Sequence, residues 1–418
     1  MNKAELEKSI QNPSSLEGLY RKNPDKFVEI FPNVYEENSS SVILKVWHER
    51  LFYSDSDFED KARRQQLILV TIIIALLAGF LVKIPSFLSF IKDEWYYPRY
   101  SVIFVLTGIS AYFLFKIPVS KKIIIAVISA ITAIILLSGL FPFPDKSDTF
   151  ILSCMHFPLV SWSIFGFAFT GDQWKLSSKR IDFLRFNGEL IIFTAIILLG
   201  GMVLTSLTLA LFNLIDIKIE QWYMSNIVVM GLVASPIVAT YIADSFIARK
   251  TRIAAVIARV FMPLFLVTVL IYLGAMFVKQ KSPYSDRDFL ITFNFLLFLV
   301  LSISIFSIIE NKYRAASKII EYTNTALILT TLIIDIIALS AILFRLSEFG
   351  ITPNRIAVLG ANLIIFIHLC GFLKPYIQII RKNGSYSAIE NWTAQYLPAY
   401  SIWSLIVAIG FPILFRFK

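Results

Sequence analysis

Arg63-Arg64-Gln65-Gln66-Leu67-Ile68-Leu69-Val70-Thr71-Ile72-Ile73-Ile74-Ala75-Leu76-Leu77-Ala78-Gly79-Phe80-Leu81-Val82 opens the apolar part of the chain. Past the glutamines only Thr71 interrupts an otherwise hydrocarbon surface. A helix needs about 20 such residues to cross the hydrocarbon core of a bilayer, and the stretch from 66 to 88 has them. Ten more stretches of this kind follow, at roughly 100–117, 122–141, 149–170, 189–212, 224–246, 257–278, 289–309, 322–344, 356–373 and 399–415. The expected fold is all-α: a polytopic integral membrane helix bundle of about 11 transmembrane helices over 63–418, preceded by a short cytosolic helical N-terminal segment over 1–62.

Composition leads to the same place. The chain is 57% hydrophobic and 16% charged, more apolar surface than one water-soluble core of this length can hide, so the excess faces lipid. Its net charge of +10 comes from Lys and Arg spread among loop ends, with no single basic stripe. That pattern excludes nucleic acid as the partner and points to the lipid bilayer and its anionic lipids. Cys154 and Cys370 lie in separate apolar stretches without CxxC spacing, so neither a disulfide scaffold nor a thiolate metal site is expected. The first apolar run is too long and too late for a cleaved signal, which makes it an uncleaved anchor.

Basic residues set the orientation. Lys116, Lys121 and Lys122, then Lys175, Lys179, Arg180 and Arg185, then Arg249, Lys250, Arg252 and Arg259 fall on the side that also takes Lys61, Arg63 and Arg64. Lys312, Arg314, Lys318, Lys374, Arg381 and Lys382 join them, and the rule that positive loops stay inside puts the N-terminus in the cytosol. Eleven spans would leave Arg416 and Lys418 outside, so either the last helix is interfacial or one span is miscounted. Trp95, Tyr96 and Tyr97, Trp222 and Tyr223, and Trp392, Tyr396 and Tyr400 are expected in headgroup belts.

In the N-terminal segment, Asn12 before Pro13 reads as a cap followed by the first helical turn. A second helix from about Ser41 carries Ile43, Trp47 and Leu51 on one face, which either lies on the membrane or packs within the segment.

Chemistry is sought where polarity meets membrane depth. Asp335 stands mid-way along the ninth stretch with no compensating charge beside it. On insertion scales a central carboxylate costs at least about 2.5 to 3.5 kcal/mol, so Asp335 is expected to face protein or water, or to carry a proton. His368 lies on the next, antiparallel stretch, and a hairpin seam would bring the two within reach. His156, Asn294 and Asn362 are further candidates for one proton or solute cavity; the structural alternative is that all five hold helices together by hydrogen bonds. Pro158, Pro236, Pro263 and Pro412 interrupt helices, each freeing the carbonyl four residues earlier. In the loop from Arg345 to Arg355, Gly350 suits a helix end and Thr352-Pro353 a helix start, with Arg345 and Glu348 spaced to pair. Arg345, Glu348 and Arg355 are also placed to guard an entrance above Asp335.

That loop, the sequence Arg355-Ile356-Ala357-Val358-Leu359-Gly360 after it, and Ala258-Arg259-Val260-Phe261-Met262-Pro263-Leu264-Phe265 resemble the bacterial multispanning family catalogued as domain of unknown function 4153. The resemblance is most evident from the sixth stretch onward. It implies a bacterial inner-membrane protein and brings no catalytic residue or cofactor. No P-loop, HExxH or catalytic triad is present, so no catalytic residue, cofactor or metal is assigned. Three functions compete. One is a permease-like or proton-coupled transport protein. Another is a non-catalytic scaffold or sensor that binds a protein partner through 1–62. The last is a membrane enzyme acting on lipid or an isoprenoid carrier, with His156 as base.

Overall fold

The computed structural model describes residues 3–38, 40–52, 55–88, 90–142, 147–214, 217–248, 294, 296–305, 318–381 and 384–417, with isolated positions from 263 to 274. All regular secondary structure among these residues is helical. The chain divides into two compact units, Met1–Leu69 and Val70–Lys418.

The first unit begins with four short helices: α1 (Lys3–Lys8), α2 (Pro13–Lys22), α3 (Pro24–Glu37) and α4 (Val42–Phe52). Asn12 accepts from the backbone of Ser14 and Ser15 with Pro13 in the first turn, and Asn23 accepts from Lys26 ahead of α3. Leu6, Leu16, Phe27, Phe31, Val34, Leu44 and Trp47 form its core. The apolar face of α4 is therefore spent inside the unit: Trp47 is buried against Phe27 and Tyr20, and Ile43 and Leu51 pack beside it. Arg50 closes this face, its guanidinium 4.5 Å from the centre of the Trp47 ring and 2.7 Å from the Glu17 carboxylate.

Nine helices among the described residues are long and apolar enough to cross a membrane: Ala62–Val82, Asp93–Lys116, Lys121–Leu140, Asp148–Gln173, Ser177–Leu209, Glu220–Ser245, Glu321–Phe349, Pro353–Ile380 and Tyr386–Leu414. They correspond to the first six and last three expected stretches. The seventh stretch and much of the eighth, with most of the Ala258–Phe265 motif, lie outside the described residues; Leu296–Ile305 is a shorter apolar helix within the eighth.

Several spans start earlier than hydropathy indicated. The fifth expected stretch began at 189, but its helix runs Ser177–Leu214, so Lys179, Arg180 and Arg185 are helical residues and not loop residues. The last was expected from 399, and its helix begins at Tyr386 behind a Ser385 cap. In both, the first turns bury apolar groups among polar ones, Ile181, Leu184 and Phe186 in one and Ile389 and Ala394 in the other. Such turns are amphipathic and fall below a hydropathy threshold. At 29 residues, Tyr386–Leu414 is long enough to span a membrane.

The prolines do not break these helices; they make acceptors. Pro412 has no N–H for the carbonyl of Ala408, and the Ser153 hydroxyl from the Asp148–Thr170 helix donates to it at 2.9 Å. Pro398 likewise frees the carbonyl of Ala394, which takes a 3.0 Å hydrogen bond from Arg180 of the Ser177–Leu214 helix. The carbonyl freed by Pro236, that of Leu232, is met locally by Ser235.

The Pro353–Ile380 and Tyr386–Leu405 helices are seated on each other by glycine. Trp403 lies directly on Gly360 and Trp392 on Gly371, leaving no room for a Cβ at either glycine. Eleven residues separate both the glycines and the tryptophans, so one antiparallel register satisfies both contacts.

Candidate functional site

Asp335 sits fourteen residues from each end of the 29-residue span Glu321–Phe349, roughly 21 Å from either face at helical rise. It shares a fully buried stripe with Leu327, Ile328, Thr331, Ile334, Ala338 and Ala341. The helix stops at Gly350, whose φ of 74° is the left-handed conformation a glycine takes without strain. Thr352 then caps the next helix by accepting from the Arg355 amide, with Pro353 in the first turn. This tight reversal lays the His368 helix against the Asp335 helix.

His368 is also fully buried. Its Nδ1 shares a 2.8 Å hydrogen bond with the Tyr400 hydroxyl. Its ring stacks on Tyr396, centroids 4.6 Å apart, and packs against Phe372. Trp392 Nε1 donates to the His368 carbonyl at 3.0 Å and Tyr396 donates to that of Ile364 at 2.9 Å. Tyr400 is fourteen residues from each end of Tyr386–Leu414, so it shares the mid-span depth of Asp335.

The expected Asp335–His368 hydrogen bond is not formed. Both Asp335 oxygens and His368 Nε2 are buried without a hydrogen-bonding partner. The reason lies in the last helix, which wedges Tyr396 and Tyr400 against the imidazole and takes its Nδ1. Asp335 remains within electrostatic reach of Tyr400 and Cys370.

The other candidates separate. Asn362 Nδ2 donates to Asn294 Oδ1 at 2.9 Å, so these two satisfy each other across helices. His156 is half-buried and its Nδ1 bonds the Leu152 carbonyl of its own helix at 2.8 Å. Arg355 donates to the carbonyls of Phe349 and Gly350, finishing the end of the Asp335 helix. Arg345 and Glu348 form no ion pair with each other, although the three-residue spacing near the end of that helix allowed one.

Two features went unread in the sequence. Trp392, Tyr396 and Tyr400 recur every four residues, the period of one helix face, yet were assigned to a headgroup belt; they turn inward onto His368. The second is a charged cluster near the ends of other spans. Tyr112 donates to Asp244 Oδ2 at 2.8 Å and Lys116 Nζ to the same oxygen at 2.6 Å. Lys116 and Asp244 border a cavity of about 540 Å³ walled by Phe113, Phe169 and Phe186. Tyr112 and Lys116 sit one turn apart on one helix face, which is the only local sign of it.

Among the described residues no three His, Cys, Asp or Glu side chains converge as a metal site. The fold defines a multi-pass, all-α membrane protein. No family model matches the chain, and neither a curated protein nor a solved structure does. The likeness to the family of unknown function therefore rests on its short motifs.

Proposed function

We propose that the chain is a permease-like, proton-coupled transport protein of the bacterial inner membrane, with its N-terminus in the cytosol. One observation carries this reading: a carboxyl group is held at mid-span, fully buried, with no donor for either oxygen. A buried polar group that serves only structure is hydrogen-bonded, as Asn362 and Asn294 are here. Ionised and unpartnered, Asp335 would destabilise the bundle by several kcal/mol, on the order of the cost of an uncompensated buried charge. Its neutral form avoids that cost, and gain and loss of that proton is the chemistry such a residue offers. Tyr400 lies within electrostatic reach of it and shares its hydroxyl with His368, an imidazole with one nitrogen engaged and one open. The bias of Lys and Arg supports the orientation, and the family resemblance supports the bacterial membrane.

The test is covalent labelling of Asp335 by a hydrophobic carbodiimide in native membranes across a pH series, with Asp335→Asn as control. Labelling that falls as pH rises is expected; no labelling at any pH in folded protein would sink the proposal.

A second reading, a scaffold or sensor that recruits a protein partner, draws on the separately packed core of the first unit. It predicts that deleting 1–62 abolishes the cellular phenotype while Asp335→Asn is silent. The lipid-enzyme reading has only His156, whose Nδ1 is already engaged.

A further inference from the structure

The surroundings of Asp335 differ along the two directions of its helix. Toward Phe349 the buried stripe continues as Ala338, Ala341 and Ile342, and Leu346, Val358 and Leu359 pack over the last two. Ser340 falls on a different face and is only half-buried. Asn362, the buried polar residue of the facing helix in this half, is bonded to Asn294. Among the described residues this end is closed by hydrocarbon.

Toward Glu321 the same stripe carries oxygen among its apolar residues Leu327 and Ile328. Thr331 is fully buried one turn from Asp335; its hydroxyl donates to Leu327 and keeps lone pairs free to accept. Asn324 is fully buried two turns further on. On the facing helix the Tyr376 hydroxyl is buried without a hydrogen-bonding partner, roughly 12 Å along from His368. Tyr376 is within electrostatic reach of Tyr386 and Glu321. Those two are joined by a 3.0 Å hydrogen bond at the half-exposed end of the helices. The titratable groups around this path among the described residues include Tyr400, Cys370, His368, Tyr376, Tyr386 and Glu321, with Glu390 buried one turn from Tyr386.

We propose that in this conformation Asp335 communicates with one side of the membrane only, the side bearing Glu321 and Tyr386, through a proton route lined by Thr331, Asn324 and Tyr376. The Ala341–Ile342 seam closes the opposite side. The inference rests on the reading of Asp335 as an exchangeable carboxyl and adds its direction of access. An orphan tyrosine hydroxyl buried between a carboxyl and a half-exposed Tyr–Glu pair both donates and accepts, which is what proton transfer along such a path needs.

The experiment uses the full chain in sealed membrane vesicles of both orientations, with Cys154 and Cys370 replaced by Ser. Single cysteines are introduced as Thr331→Cys and Ala341→Cys, with Asn324→Cys as a second reporter should Thr331→Cys fail to fold. Each is exposed to a small charged, membrane-impermeant thiosulfonate from one side at a time. All three positions are fully buried, so reaction reports water and reagent entering along the route during opening; modification at 331 or 324 is expected at least about tenfold faster than at 341, and only from the Glu321 side. Equal rates, faster reaction at 341, or no reaction at any position overturns the route. Carbodiimide labelling of Asp335 in the same variants separates the failures. Labelling that persists while the route fails leaves the exchangeable carboxyl standing, whereas lost labelling in folded protein removes the reading beneath it.

Discussion

Asp244 and Asp335 are both carboxylates inside the helical unit, and their surroundings could hardly differ more. Asp244 is met by the Lys116 ammonium and the Tyr112 hydroxyl, and its pair sits near span ends with Lys116 part-exposed. Asp335 is fully buried at mid-span and meets no donor. Near a helix end a lysine can pair with a carboxylate while its stem covers apolar surface. At mid-span a compensating cation would itself carry the insertion cost, so none is supplied. Compensation marks a carboxylate that fastens helices; under the proposed function its absence at Asp335 marks one that gains and loses a proton.

Separating the two carboxylates by mutation gives the largest expected effect. Lys116→Met leaves the half-buried Asp244 without its ammonium partner and should destabilise the protein by about 2–3 kcal/mol, the cost of orphaning a buried charge reduced for partial exposure. Asp335→Asn removes no hydrogen bond and should change stability by less than about 1 kcal/mol. Thermal unfolding in detergent measures both. Comparable losses, or a larger loss for Asp335→Asn, would break the contrast.

A smaller effect sharpens the Asp335 side. Tyr400→Phe removes the hydroxyl at His368 Nδ1 and should cost about 1 kcal/mol. Because the Tyr400 hydroxyl is within electrostatic reach of Asp335, its removal should also shift the pH midpoint of carbodiimide labelling, which Ser404→Ala, one turn further along, should not. Equal midpoints would reduce Tyr400 to packing.

The smallest effect belongs to a third carboxylate, in the first unit. Glu17 accepts from Arg21 and Arg50, which hold its carboxyl below the usual range. A depressed value in the folded state means its contribution is present above the unfolded pKa and fades as pH falls through the folded one. Melting of the first unit, followed by Trp47 fluorescence, should therefore soften slightly below the ordinary carboxylate range. Glu17→Gln should flatten that dependence.

Local grammar was legible. The Asn12-Pro13 and Thr352-Pro353 starts, the Gly350 stop and the depth of Asp335 follow from residue types at fixed offsets, and such rules act over one or two turns. What stayed hidden was long-range. Lys116 and Asp244 are 128 residues apart, and nothing near either names the other. Tyr400 was misplaced because an aromatic residue near an apparent span end looks the same whether it meets headgroups or an imidazole. Only the earlier helix start at Tyr386 moves it to mid-span, and that start was masked by Glu390 and Thr393, polar residues buried in the first turns.

The proline-freed carbonyls have a mechanical meaning. Ser153 grips the last helix at Ala408 and Arg180 grips it at Ala394, each from a different neighbour. The helix is thus a beam clamped at two points about 21 Å apart, with Tyr400 between the clamps. A beam so held resists both sliding and rolling, because either motion strips a carbonyl of its donor at a depth where water cannot replace it. Tyr400 is then the fixed jaw at the midplane, and any stroke that opens or closes the contact with His368 is made by the hairpin that carries Asp335.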